Sequence, residues 1–518
     1  MQTDPHHIPP PSPVSRWLGL GVLVLAVTLV ALDATVLSLA LPSISETLHP
    51  SGTQLLWIGD AYSFVLAGLL VSMGALSDRI GRKKLLLIGS TAFGAASLLA
   101  AYAPTPGWLI LARALLGIAG ATIMPSTLSL IRSLFPDARE RATAIGIWGA
   151  GATAGAALGP VVGGVLLEHF WWGSVFLLNL PVLALLLVLG GWLLPESKDP
   201  KPGRWDVLSV LLSMTGVIGV VYAVKEAAAN GLGHWPIPVT FALGATALTV
   251  FVRRQLRLES PLLDVRLFVN PRFTAAVLSS LASLIGLSGV IFFMSQYLQL
   301  VRGYSPLTAG LAELPAFVGA VAGGLLTAKL ARRAGVRATL AGGLLAMGAG
   351  VAVLGWVHQG SPYLLLGAAF LAAGAAEGIV YTLSADLVLT AAPPEKAGAA
   401  SAVSETAYEL GTALGIALLG SVVTAIYAGS LVMPAGTEAL GTEAEQSIGN
   451  AVQAASTLPA ELGEQLTAAA RTAFVHGMNV AAIAAGALLL SASLFAWWKL
   501  RGQDAAAGAE RPADHLVH

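Results

Sequence analysis

Apolar runs long enough to cross a bilayer follow one another from Trp17 to Trp498, broken only by short stretches that carry charge, proline or glycine. A spanning helix needs about 20 apolar residues to cross roughly 30 Å of hydrocarbon. Backbone groups must be satisfied internally there, which leaves helices or a closed barrel. The runs show no strict alternation of apolar and polar residues, so they read as helices. With 56% of its 518 residues hydrophobic, the chain has more apolar surface than a water-soluble fold of this size hides. A bilayer is its expected solvent.

Fourteen spans are expected, over about 17–42, 53–73, 85–103, 107–131, 143–167, 173–194, 207–226, 236–252, 273–299, 306–328, 338–357, 361–385, 397–427 and 472–498. All but four of the 28 lysines and arginines then fall on one side of the membrane. The exceptions are Lys225, Arg302 and Arg471 on the other side and Arg113 within a span. By the positive-inside rule the rich side is cytoplasmic, and both termini lie there. The opening MQTDPHHIPPPSPVSR is polar and proline-rich and is expected to be a disordered lead-in. It lacks the basic start and cleavage site of a secretory signal, so the first apolar run is expected to remain a helix. There is no cysteine, which excludes disulfides, thiolate metal sites and cysteine nucleophiles. The net charge of zero gives no reason to expect nucleic acid as a partner.

The stretch GALSDRIGRKKLLLIGS, 74–90, concentrates Asp78, Arg79, Arg82, Lys83 and Lys84 in the hinge between the second and third spans. Topological anchoring accounts for the bases, but not for Asp78 or for the glycines at their spacing. The hinge after the tenth span, TAKLARRAGVRATLAGG, aligns with it: Arg79 with Arg333, Gly81 with Gly335, Lys83 with Arg337. Each hinge follows the second span of a block of six. The chain therefore reads as two related six-helix halves, spans 1–6 and 9–14, with spans 7 and 8 inserted. Such repeats place a substrate path at their interface near the membrane midplane.

Several stretches, in this order, resemble the major facilitator superfamily, in its fourteen-helix drug:proton antiporter branch, and most closely the QacA-type exporters of quaternary ammonium compounds. They are LDATVLSLALPSI (32–44), SGTQLLWIGDAYSFVLAG (51–68), GALSDRIGRKK, LARALLGIAGATIMPSTLSLIR (111–132), GAALGPVVGGVLLEHFWW (155–172), DVRLF (264–268) and AVSETAYELG (402–411). The resemblance covers nearly the whole chain. It implies an all-α membrane protein with two six-helix bundles plus two inserted helices. The expected division is a tail over 1–16, an N-terminal bundle over 17–194, a linker with the inserted helices over 195–256, a C-terminal bundle over 257–498 and a tail over 499–518. It also implies that Asp78 caps and pairs with neighbouring helix ends, so that Asp78, Arg79, Gly81 and Arg82 form a conformational latch.

Ionisable residues within spans are costly, about 2.5–3.5 kcal/mol on insertion scales, and each needs a reason. Asp33, Asp60 and Arg113 lie about 13, 10 and 9 Å below the outer ends of spans one, two and four at the helical rise. They are either a buried ion pair that orders helices or a cluster responsive to protons and cations. The resemblance associates the acid matching Asp33 with proton coupling and substrate recognition, and the base matching Arg113 with proton transfer. Asp33 is taken as the principal coupling site, with Asp60 in support. In the C-terminal half, Glu405 and Glu409 share a helix face, and Glu377 lies at a depth near that of Glu405. They read as hydrated vestibule residues or as a second protonation or cation site. Tyr408 offers an aromatic face for cation–π contact, with Tyr62 and Trp57 the other aromatic candidates. Asp386, at the inner end of its span, is expected at the surface. The stretch LPAFVGAVAGG (314–324) lacks the acid that some QacA-like relatives carry there, and Glu313 just before it is a displaced substitute or a snorkelling surface acid.

The resemblance makes Gly155, Gly159, Pro160, Gly163 and Gly164 the antiporter motif, a bend in close contact with the C-terminal block; small-residue packing alone also accounts for such a stretch. The one long outer loop, 428–471, reads as two short helices joined near Leu458–Pro459, either a solvated cap or a cover for the outer mouth. No HExxH, no Walker loop and no nucleophile–base pair is present, so no catalytic residue, metal or ATP coupling is expected. The expected function is proton-coupled multidrug efflux across the cytoplasmic membrane. The expected partners are lipophilic cations, protons and membrane lipids, with no cofactor beyond the proton motive force and a monomeric state. The alternative is export of one metabolite or antibiotic by the same machinery.

Overall fold

The structure, a computed structural model, describes residues 13–501 except 49, 51, 199–205, 231–234, 260, 262, 305, 394–395, 438–443 and 446. Among the described residues it is helical, without strands. The first half holds α1 (Pro13–Leu48), α2 (Gly52–Ile80), α3 (Arg82–Ala101), α4 (Pro106–Leu134), α5 (Ala138–His169), α6 (Ser174–Leu177) and α7 (Asn179–Leu193). The inserted pair is α8 (Val207–Asn230) and α9 (Pro236–Gln255). The second half holds α10 (Pro271–Gln296), α11 (Pro306–Val353), α12 (Tyr363–Ala391), α13 (Ala397–Ser430), α14 (Ile448–Ala455) and α15 (Ala460–Lys499). Of the described segments, 13 are long and apolar enough to cross a membrane, α6 and α7 together forming one. One counts twice. The 48 residues of α11 are about 72 Å long at the helical rise, over twice the hydrocarbon thickness. They break at Gly335 (φ 82°, ψ 161°) into limbs 306–334 and 336–353. Each of the fourteen expected spans thus has a counterpart.

Two hydrophobic cores form. One gathers residues of α1 to α7, and the other gathers residues from Phe251 to Leu500. They trade residues where the halves meet: Val71 of α2 joins the second core, and Ala385, Leu389 and Ala397 join the first. Helices in a bilayer associate by close packing of small residues rather than by hydrophobic drive. A Cβ on Gly155 would collide with the Thr28 carbonyl, and one on Gly159 with the Thr35 hydroxyl. The Thr28 hydroxyl donates to the Gly151 carbonyl at 2.9 Å and the Thr35 hydroxyl to that of Ala156 at 3.2 Å. These glycines therefore seat α5 on α1 of its own half. This corrects the expected contact with the C-terminal block, which α5 makes a turn or more earlier: a Cβ on Gly146 would stand 2.7 Å from the Gly324 carbonyl oxygen. Gly163 is buried, a Cβ on Gly164 would touch nothing, and the Pro160 side chain lies outside the described residues. The helix continues unbroken through the motif.

The long loop 428–471 also departs from expectation. Its first helix is α14, but the second is the start of α15, which runs 40 residues without a break. After Pro459 the stretch AELGEQLTAAARTAF consists mostly of strong helix formers and contains no second proline to stop it. The Tyr427 hydroxyl donates to the Ala444 carbonyl at 2.9 Å, and Arg471 Nε donates to that of Leu300 at 2.9 Å, tying the loop to its own bundle. Residues 438–443 and 446 of this loop, and both terminal tails beyond residues 13 and 501, lie outside the described residues.

The inserted α8 packs on α9, α2 and α13. Asp206, just before α8, accepts Arg254 Nε at 2.8 Å and Nη2 at 3.0 Å, and the Ser209 amide at 3.3 Å. The Arg254 hydrogen bonds, followed by those of Ser209 and opposed by burial, hold its carboxyl at about 2 rather than 3.8. A depressed carboxyl stabilises the fold above its usual value, and that contribution is lost as pH falls through the folded value. Asp206→Asn should therefore be less stable than the parent at neutral pH. The difference should close between pH 3.8 and about 2. Thermal melts across that window check it.

Both aligned hinges turn on a glycine in the left-handed region, Gly81 at φ 110° and Gly335 at φ 82°. At Gly81 a Cβ would also come within 2.6 Å of the Glu196 carboxylate. That carboxylate accepts the amides of Lys83 (3.2 Å) and Lys84 (3.1 Å), an anion set on the N-terminus of α3. Left-handed backbone costs a residue with a Cβ about 1–2 kcal/mol before any clash. Gly81→Ala should lower the melting temperature of the solubilised protein. Gly342→Ala, in open space on a helix, should hold or raise it. Equal melting temperatures for the two variants would refute the strain at this hinge.

Candidate functional site

Within the first bundle, Asp33 on α1 is fully buried, with 0% of its surface exposed. Its Oδ2 accepts Arg113 Nη1 of α4 at 3.3 Å, and its Oδ1 accepts Asn179 Nδ2 of α7 at 2.8 Å. Asn179 also donates to Ser97 Oγ at 3.1 Å. Arg113 Nε donates to the Ile58 carbonyl at 3.2 Å, and its guanidinium lies 4.7 Å from the centre of the Tyr62 ring. Every contact compensates a charge that the bilayer cannot hydrate. Removing one partner of such a pair costs about 3–5 kcal/mol, because it strands the other charge. Asp60 lies on α2, but its side chain is outside the described residues. Trp57 is 41% exposed and packs edge-on against Phe64, so it does not join the buried cluster.

A second group occupies the seam between the halves. Trp148 of α5 stacks on Tyr381 of α12, with centroids 6.0 Å apart and planes at 7°. Tyr381 meets Tyr408 of α13 edge-on at 5.0 Å, and its hydroxyl donates to Glu405 Oε1 at 3.3 Å. Glu405 is 1% exposed, and its Oε2 has no hydrogen-bond partner among the described residues. Neither oxygen of the buried Glu377 has one either; Ser283 of α10 lies beside it, outside hydrogen-bond geometry. Tyr408 is within electrostatic reach of Glu377, Glu405 and Glu409 together. Glu409 in turn reaches Tyr62, so the two clusters adjoin. Glu313 stands near Ser295, half-buried on α11, with its Oε1 unpartnered.

Sequence reasoning missed Trp148, Tyr381 and Asn179. Two of these left a signal: Tyr381 follows Glu377 by one helical turn, and Asn179 is the only amide in the apolar run FLLNLPVLALLL. Trp148 left none.

At the hinge-bearing end, polar contacts cross between the bundles. Asp78 Oδ1 accepts Arg82 Nη2 at 2.9 Å, and Asp78 Oδ2 accepts the Ala399 amide in the first turn of α13 at 3.1 Å. Arg82 also reaches Ser133 (3.0 Å) and Ser197 (2.9 Å), while Arg79 lies in the last turn of α2. Arg132 donates to the Leu389 and Ala392 carbonyls, and Ser129 and Ser401 lie 3.2 Å apart. Arg141 Nε pairs with Asp386 Oδ1 at 2.7 Å. That pair corrects the expected surface placement of Asp386: its carboxylate is largely buried because a guanidinium from the opposite bundle reaches it. This end of the molecule is closed.

The family model of the Major Facilitator Superfamily matches residues 23–416. Over 484 residues, 93% of this chain and 96% of the relative, the chain is 48% identical to the multidrug efflux pump LfrA of Mycolicibacterium smegmatis. It is 40% identical to the methyl viologen resistance protein SmvA of Salmonella typhimurium, over 94% of this chain and 98% of that one. The human organic anion transporter MFSD10 (TETRAN) shares the fold, with a TM-score of 0.63 at 14% identity, covering 94% of this chain and 100% of that chain.

Because the chain has no cysteine, a single introduced one reports the closure. Ser401→Cys, buried in the seam, should react slowly with a water-soluble maleimide. Adding Asp78→Ala should raise that rate at least about five-fold by shifting the population towards an opened seam. An unchanged rate would show that Asp78 does not hold this end closed.

Proposed function

We propose that the chain, which belongs to the Major Facilitator Superfamily, exports lipophilic and quaternary ammonium cations in exchange for protons. As a member of that family it is a transporter rather than an enzyme and a multi-pass protein of the cell membrane. The observation that carries the reading is Glu405, a carboxylate with an unpartnered oxygen beside stacked aromatic rings at the seam between the halves. A buried anion next to π faces is the environment that an organic cation replaces water in best. The name of the relative LfrA, a multidrug efflux pump, supports export of more than one small molecule.

The exchange runs through Arg113. With Asp33 ionised, the guanidinium is held between that carboxylate and the Tyr62 ring. A proton on Asp33 removes the charge that holds it. Arg113 then faces Glu409 across Tyr62, which is within reach of both, and a cation resting on the acids of the second bundle meets a competing positive charge. Loss of the proton restores the Asp33–Arg113 pair and returns the acids to the substrate. In this reading both termini are cytoplasmic, protons enter from outside down the proton motive force, and the monomer works among membrane lipids without a cofactor. Opening of the Asp78 end, by release of its contacts to Arg82 and Ala399, admits substrate from the cytoplasm.

The test uses purified protein in liposomes under an imposed pH gradient. Ethidium and structurally unrelated cations should each trigger proton release from the wild type. Asp33→Asn should abolish that release while the protein still folds. A response to a single compound, or to none of the cations, would replace this reading with export of one metabolite or antibiotic. Release that survives Asp33→Asn would remove Asp33 from the coupling.

A further inference from the structure

The first hinge carries its own negative charge, and the second does not. At the first, Asp78 pairs with Arg82, and the Glu196 carboxylate accepts the Lys83 and Lys84 amides. At the second, Arg332 stands in the place that aligns with Asp78. The surroundings are otherwise built alike. Lys83 Nζ donates to the Gly191 carbonyl of α7 at 2.7 Å, and its counterpart Arg337 donates through Nε to the Trp497 carbonyl of α15 at 2.8 Å. Each carbonyl lies three residues before the leucine that caps its helix, Leu194 or Leu500. Two residues beyond that leucine the first half has Glu196, and the second has Gly502.

What the second half presents instead is a basic and aromatic surface. Arg332, Arg333 and Arg501 are exposed, and Arg337 and Lys499 are half-buried. Among the described residues none of the five is paired with a carboxylate. The Arg337 guanidinium lies 3.7 Å from the centre of the Trp497 ring, which joins the hinge to the end of α15. Trp497 is 43% exposed and its neighbour Trp498 60%. Exposed tryptophans beside bases at the end of a span belong at the level of the lipid headgroups, and a basic cluster there attracts anionic lipid.

We propose that the second hinge binds the headgroup of an anionic phospholipid, which supplies the negative charge that Asp78 and Glu196 supply in the first half. The arginines hold the phosphate oxygens, and the two tryptophans lie along the glycerol and the upper acyl chains. The bound lipid bridges the break in α11 and the end of α15. The site is separate from the acids at the seam and does not depend on which ions are exchanged there.

The experiment measures lipid binding to the full-length purified protein by mass spectrometry of the intact complex. The probes are phosphatidylglycerol and, as the zwitterionic control, phosphatidylcholine with the same chains. The wild type should bind phosphatidylglycerol at least about ten-fold more tightly. Arg332→Gln with Arg333→Gln should reduce that preference to about two-fold or less. Arg253→Gln with Arg257→Gln, which removes two exposed bases at the end of α9, should keep it. Melting curves confirm that each variant folds. Inorganic phosphate in large excess should not displace the lipid, because it offers the tryptophans nothing. Equal loss in both paired variants means diffuse attraction to a basic face and overturns the proposal. Displacement by phosphate, or a wild type without preference, overturns it too. A preference that appears only after Asp504→Asn, Glu510→Gln and Asp514→Asn together assigns the surface to the chain's own acidic tail, and also overturns it.

Discussion

A charge inside a bilayer-spanning bundle must be neutralised either by the protein or by something that arrives, and the two halves of this chain take different routes. In the first half, Asp33 receives Arg113 and Asn179, and both carboxylate oxygens are used. In the second half, Glu377 and Glu405 keep oxygens without a hydrogen-bond partner among the described residues. The halves share helix order and hinge geometry, so the difference lies in side chains alone. A symmetric pair of filled sites would be structural, and a symmetric pair of empty ones would be costly in every state. On the proposed reading, one of each lets an ion leave one half as another enters.

The two hinges share a backbone turn but not the chemistry around it. Gly81 and Gly335 take the same left-handed backbone, but the residue before the aligned arginine is Asp78 in one and Arg332 in the other. An acid can cap a helix N-terminus and a base cannot. The helix ends respond accordingly. The cap residue of α13 is Lys396, whose side chain makes no capping hydrogen bond to the helix, and Asp78 supplies one from the opposite bundle at the Ala399 amide. The corresponding helix of the first half, α5, is capped by its own Asp137, which accepts the amides of Arg139 and Glu140 and is held below the usual carboxylate range mainly by the Glu140 amide. Loss of the Asp78–Ala399 contact therefore uncaps α13, whereas the cap of α5 lies within its own half.

The spans and the hinge repeat were legible in the sequence because each follows from chemistry within a few tens of residues: apolar length, basic clusters, and a glycine that must turn. What escaped depends on partners far along the chain. Asp386 reads as a surface residue because a charge at the end of a span ordinarily faces water, and Arg141, 245 residues away, takes the place of that water. Glycines 155 and 159 announce close packing, but their spacing does not say against which helix; the threonines of α1 decide it. Glu405 stood out as a charge in an apolar run. Tyr408 stood out beside it, but Trp148 did not, since it is an ordinary apolar residue until the opposite bundle brings Tyr381 against it.

The position of Arg113 follows from the same electrostatics. A guanidinium spreads its charge over a plane, so it can stack on an aromatic ring while its edge holds a carboxylate. Here the edge is on Asp33 and the face is over Tyr62, with Glu409 within reach of that same ring. A lysine could serve one neighbour or the other, but would lose its stacking and its second hydrogen bond, to the Ile58 carbonyl. On the proposed reading, the proton never has to meet the substrate. It changes the charge of Asp33, Arg113 carries that change across one ring, and the acids at the seam lose their affinity for the cation on the far side.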